Sequence, residues 1–146
     1  MTNKAEQFKA YLDEKEIKVF EIEELENDEQ ETVAFRSRMT IEGQSLPLVV
    51  IVDNSIFTMI RVQLQAQAQT PDNASAIATA ANAENARFKP FKLYTNAGGD
   101  LLLDVCLTFM NDLNGDEIYV LFDSIIGYLN GKDGGYRRLM KAVWGE

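Results

Sequence analysis

The sequence predicts an α+β domain, with an antiparallel sheet of about five to six strands and helices packed mainly on one of its faces. Three observations carry this expectation. Apolar residues alternate with period two over residues 32–41 and 56–64, the mark of half-buried strands. Helical spacing appears near both ends of the chain and once in the middle. Most of the strand candidates are joined by short turns, which forces neighbours to run antiparallel, because a parallel pair needs a long crossover.

Residues 3–15 read as a helix, with Phe8, Tyr11 and Leu12 on one stripe and Thr2 or Asn3 available as its cap. Val19, Phe20 and Ile22 then suggest a short strand, ended or turned by the acidic run Glu21 to Glu31. In the next strand Val33, Phe35, Ser37, Met39 and Ile41 alternate with Thr32, Ala34, Arg36, Arg38 and Thr40. EGQSLP is expected to turn the chain into LPLVVIVD, which is apolar on both faces and so reads as a strand covered on two sides or lying within an interface. After Asp53-Asn54-Ser55, residues Ile56, Ile60, Val62 and Leu64 alternate with Phe57, Met59, Arg61 and Gln63.

Residues 72–88 form an alanine-rich helix whose inner side is marked by Ala74, Ile77, Ala81 and Phe88; the small side chains let it lie close to a sheet. Lys89 to Thr95 and Leu101 to Met110 are paired strands around the turn Asn96 to Asp100. Ile118, Leu121, Phe122, Ile125 and Leu129 mark a closing helix, NGKDGG breaks it, and Tyr136, Leu139, Met140, Val143 and Trp144 define a last amphipathic one.

A chain of 146 residues with 46% apolar content is long enough to bury one core, and residues 1–146 are read as a single domain. No apolar run approaches the roughly 20 residues that a membrane crossing needs, and the charged N-terminus does not resemble a signal peptide, so a cytoplasmic protein is expected. The net charge of −9 is local: residues 1–31 carry 11 acidic and 4 basic side chains, the remainder 12 and 10. Seven acids fall within Glu21 to Glu31, a run read as a solvated hairpin or loop. This sign opposes non-specific duplex binding, so a nucleic-acid partner is not expected.

The absence of histidine removes Ser-His-Asp and Cys-His catalysis and histidine-containing zinc sites, and neither GxxxxGK[ST] nor a GxGxxG after a strand is present. No catalytic residue, metal site or cofactor is therefore assigned. Asp112, Asn114, Asp116 and Asp123 occupy the first, third, fifth and twelfth positions of a calcium-loop pattern, yet Glu117 replaces the glycine of its sharp turn; capping of the following helix is the expected role. Cys106, with no base placed beside it by spacing, is read as a buried or half-buried structural thiol.

Alternation supplies the candidate binding surface. If Val33, Phe35, Ile60, Val62, Leu64, Leu93, Leu103 and Val105 face a helix-covered core, the opposite face carries Arg36, Arg38, Arg61 and Lys92 beside Phe57, Met59 and Tyr94. An acidic protein then owns a basic, partly aromatic sheet face suited to an anionic, partly apolar ligand such as an acidic peptide, a nucleotide-like ligand or a second copy's acidic stretch. The competing expectation is that the chain's own Glu21 to Glu31 run neutralises it, or that these are scattered surface charges.

The segments QSLPLVVIVDN, FTMIRVQL and FKLYTNAGGDLLLDVCLTFM resemble the YbjN-like family of bacterial sensory-transduction regulators over most of residues 3–130. The resemblance implies a fold similar to the type III secretion chaperones, which are commonly dimeric and bind other proteins without turnover; it supplies no catalytic residues. The expectation is thus a non-catalytic protein-binding module, chaperone-like or regulatory, with a protein client and a homodimeric state. The alternative is a small anionic-ligand binder or enzyme that groups Arg36, Arg38 and Arg61 around an anion with Asp104 as base.

Overall fold

A computed structural model describes residues 1–145. Its helices are α1 (Asn3–Glu14), α2 (Ala74–Arg87), α3 (Gly115–Leu129) and α4 (Gly135–Trp144). Its strands are β1 (Glu21–Glu24), β2 (Val33–Ile41), β3 (Gln44–Val52), β4 (Phe57–Gln65), β5 (Lys92–Thr95) and β6 (Leu101–Thr108). All pairings are antiparallel, in the order β1-β2-β3-β4-β6-β5. Because β4 and β5 both run antiparallel to β6, they are parallel to each other, and α2 carries the crossover between them. None of the described helices is long and apolar enough to cross a membrane.

The alternation puts Val33, Phe35, Val50, Ile60, Val62, Leu103 and their neighbours of like parity against a helix layer that contributes Phe8, Ile77, Ile118, Ile125, Leu129 and Leu139. The pleat forces every other residue of the central strands to the opposite face, over which no helix packs. The fold is therefore a two-layer α+β arrangement with one sheet face left uncovered.

Local chemistry accounts for most element ends. Thr2 Oγ1 accepts from the Ala5 N–H at 3.2 Å and starts α1. The β2–β3 connection is shorter than EGQSLP suggests: it is a two-residue turn in which Glu42 (φ 49°) and Gly43 (φ 78°) both adopt left-handed backbone. Glycine does this freely, whereas Glu42 is held there by contacts, since its N–H donates to Asn130 Oδ1 while its carboxylate accepts from Gly131 N–H and Arg137. The hairpin tip is thereby pinned to the α3–α4 connection.

Three expectations about the elements are corrected. The first strand lies at Glu21–Glu24, not Val19 to Ile22; Phe20 precedes it and packs against Phe8 and Phe122. Pro90 precedes a β5 that begins only at Lys92 and whose outer edge is closed by the Asn85 amide, which accepts from Leu93 N–H and donates to Leu93 C=O. Trp144 is 61% exposed and does not join Tyr136, Leu139 and Val143 in the core. The buried face of α2 also includes Glu84, at which burial is offset by Arg138 and by Tyr128, whose hydroxyl donates at 2.7 Å.

Candidate functional site

All seven candidate residues, Arg36, Arg38, Phe57, Met59, Arg61, Lys92 and Tyr94, lie on the uncovered sheet face. Strand register arranges this face in transverse rows. One row runs Glu21, Arg36, Val49, Arg61, Asp104, Lys92 across all six strands. At the usual strand spacing Arg36 and Arg61 flank Val49 with about 10 Å between their backbones. The next row passes from Glu23 through Ala34, Ile51 and Met59 to Cys106 and is apolar in its middle. A register shift between Gln63 and Gln65 leaves these rows intact because it lies at the far end of β4.

Each cation has a different environment. Arg36 donates to Glu23 Oε1 at 3.1 Å through both Nε and a terminal nitrogen. Neutralisation by the acidic run therefore takes place at this one arginine. Arg61 makes a two-pronged pair with Asp104, at 2.9 and 3.0 Å, and the Tyr94 hydroxyl donates to the same carboxylate at 2.8 Å. Asp104 is only 2% exposed, so this carboxylate is committed to holding three strands in register and does not stand free as a base. Its hydrogen bond and charge raise the Arg61 guanidinium further above its ordinary value; burial, then Asp104, raises the Tyr94 phenol. Lys92 lies 4.9 Å from the centre of the Tyr94 ring.

Arg38 differs from the other two arginines. Its guanidinium donates to Ser45 Oγ at 2.6 Å and Ser45 C=O at 2.8 Å, and among the described residues it has no carboxylate partner. It lines a groove of about 900 Å³ together with Val19, Glu21, Arg36, Val49 and Ile51. The groove runs across the uncovered face from Val19 and Glu21 on the β1 side, over β2 and β3, to Arg61, Gln63 and Leu102. Phe57, 52% exposed, stands outside this groove near the opposite end of β4.

The reading of Cys106 is revised: it is exposed at the end of the apolar row, beside Met59, because its parity on β6 points it away from the helix layer. The calcium-like segment has the capping role expected of it, with Asn114 Oδ1 accepting from Glu117 N–H at the start of α3, while Asp112 accepts from Gln7 and Asp116 from the Tyr11 hydroxyl. Burial and the Asp116 carboxylate together push the Tyr11 phenol up to about 12.

Sequence reasoning passed over the contribution of Val49, Ile51, Pro47 and Leu102 to the groove. The signal was present in LPLVVIVD, whose second apolar face was recognised without being placed beside the arginines. The chain matches no protein-family model, and no curated protein matches it.

Proposed function

We propose that this chain is a non-catalytic protein-binding module, chaperone-like or regulatory and similar to the YbjN-like family, that receives a client on the uncovered sheet face and self-associates through the same face. The observation that supports this reading is the second apolar side of β3. Leu46, Leu48, Val50 and Val52 are buried under helices, while Pro47, Val49 and Ile51 remain half-exposed between arginines. Apolar surface left open at the centre of a sheet is stabilised when a partner removes it from water, at roughly 25 cal/mol per Å². Arginines around it discriminate among partners by charge. A binder of small anions is less well served, because Arg36 and Arg61 are already engaged by carboxylates of the chain itself.

The test replaces Val49 and Ile51 by aspartate, substitutions that put charge into the apolar centre of the face. Tagged wild type and variant are used to capture proteins from native lysate, and the protein retained by wild type is then purified and titrated against both forms. A stoichiometric complex lost in the variant, or a wild-type dimer that sediments as a monomer once substituted, supports the reading. Equal binding by both forms, or a tightly held metabolite in place of a protein, refutes it.

A further inference from the structure

The uncovered face ends at an edge that is treated unevenly along its length. β2 pairs with β3 at all nine residues from Val33 to Ile41, but with β1 only at Val33 to Arg36. Among the described residues the remaining stretch, Ser37 to Ile41, has no neighbouring strand on its outer side. In a two-residue hairpin the residues flanking the turn, Ile41 and Gln44, exchange hydrogen bonds, so the odd-numbered residues of β2 face β3 and the even-numbered ones face outward. The N–H and C=O groups of Arg38 and Thr40 therefore point off the sheet. Among the described residues no side chain or backbone group bonds to them.

Continuing the β1 register would place Val19 opposite Arg38 and Phe20 opposite Ser37, but the pairing stops at Glu21, and the chain passes on to α1 with Phe20 packed against Phe8 and Phe122. On the stretch so left stands Arg38, the arginine of this face that lacks a carboxylate. The paired part of the edge shows what chemistry fits: β1 reads Glu-Ile-Glu-Glu, and its Glu23 carboxylate holds Arg36 from the neighbouring strand. The other sheet edge is closed to such pairing at Leu93 by the Asn85 amide.

Resting on the protein-binding reading above, we infer that the client docks by adding an extended strand to β2 at Arg38–Thr40, and that this strand alternates acidic residues, facing Arg38, with apolar ones. Main-chain bonds to the outward groups supply affinity and the carboxylate opposite Arg38 supplies selectivity. The strand continues the line that β1 abandons.

The experiment titrates three synthetic probes into the full chain: a peptide alternating glutamate and valine, its lysine–valine counterpart, and the glutamate–valine peptide N-methylated so that its main-chain donors are removed. Backbone amide exchange is followed residue by residue. The first probe is expected to bind and to slow exchange at Arg38 and Thr40 by about tenfold or more, with the other two at least about tenfold weaker. Thr40→Pro removes an outward donor without touching the β3 ladder and is expected to abolish the protection; Arg38→Glu is expected to transfer preference to the lysine peptide. Two variants with unrelated effects on folding keep the test decisive.

Equal binding of the acidic and basic probes, or undiminished binding of the N-methylated one, overturns the inference. So does conversion of a dimer into a monomer by Thr40→Pro, which would assign the edge to a second copy. If the acidic probe perturbs Val49 and Ile51 while Arg38 and Thr40 exchange as in the free protein, strand addition fails but the face reading stands. If no probe binds and aspartate at Val49 and Ile51 changes nothing in capture, both fall.

Discussion

Replacing Arg61 by methionine tests whether this arginine is free to serve a ligand or is consumed by the sheet. Methionine keeps the aliphatic bulk and removes the guanidinium, leaving the Asp104 carboxylate, 2% exposed, with the Tyr94 hydroxyl as its remaining side-chain donor. Stripping one partner from a fully buried ion pair costs about 3–5 kcal/mol. The Arg61 side chain is 36% exposed, so water can reach part of the vacated volume, and about 2–3 kcal/mol is the appropriate discounted figure. For a chain of this size that corresponds to a fall in melting temperature of roughly 5–10 °C.

The reverse deletion, Asp104→Leu, is expected to cost less, about 1–2 kcal/mol, because the arginine left behind can turn toward solvent whereas the carboxylate cannot. The double variant should recover to within about 1 kcal/mol of wild type, since no charge is then stranded. Urea unfolding followed by circular dichroism measures all three. An Arg61→Met cost below that of Asp104→Leu would show that the carboxylate is not held desolvated and would refute the reasoning.

The remaining predictions address the helix layer. Adding a Cβ at Gly115 drives it into the Tyr11 ring, which is held by its bond to Asp116, so Gly115→Ala should destabilise by about 1–3 kcal/mol; an unchanged melting temperature by calorimetry would show that α1 yields freely. Thr58 Oγ1 is fully buried and has no hydrogen-bond partner among the described residues, so Thr58→Val should raise stability by about 1 kcal/mol in urea titration, and a loss would reveal a partner for that hydroxyl. Burial raises the Glu84 carboxyl, but donors from Arg138 and Tyr128 outweigh it and leave it below its ordinary 4.5. The unfolded chain then takes up this proton first, so the contribution is complete above 4.5 and drains as pH falls through the lower folded value. Unfolding between pH 6 and 3, about the range in which carboxylates titrate, should be less acid-sensitive in Glu84→Gln than in wild type.

Strand parity was legible because it follows from a period of two and the burial of one face: Phe35, Ile60, Val62 and Leu103 could point only one way, and Arg36, Arg61 and Tyr94 were thereby assigned to the other. What alternation does not contain is who stands beside whom across the sheet. The β4–β6 neighbourhood arises from a crossover through α2, so the pairing of Arg61 with Asp104, 43 residues away, had no local sign. Likewise Glu84 sits in an alanine-rich helix with nothing nearby to announce Arg138. The end of β1 pairing at Glu21 likewise had no local sign, since Val19 and Phe20 carry strand propensity and yet lie outside the ladder.

A bare strand edge is a hazard unless it is selective, and the position of Arg38 supplies the selection. Two copies meeting edge to edge and antiparallel about Met39 would set each Arg38 opposite Thr40 of the other, with the two guanidinium groups on the same face and their backbones about 7–8 Å apart on the diagonal. That approach is opposed by like charge. An acidic strand does not meet this penalty at Arg38: its carboxylate replaces the Ser45 contacts with an ion pair, and its main chain satisfies groups otherwise left to water. The sealed edge at Leu93 makes the contrast within one molecule, since there the chain spends an asparagine to prevent pairing altogether. The same fold thus closes one edge and guards the other by charge, and a guarded edge discriminates only if some strands are admitted.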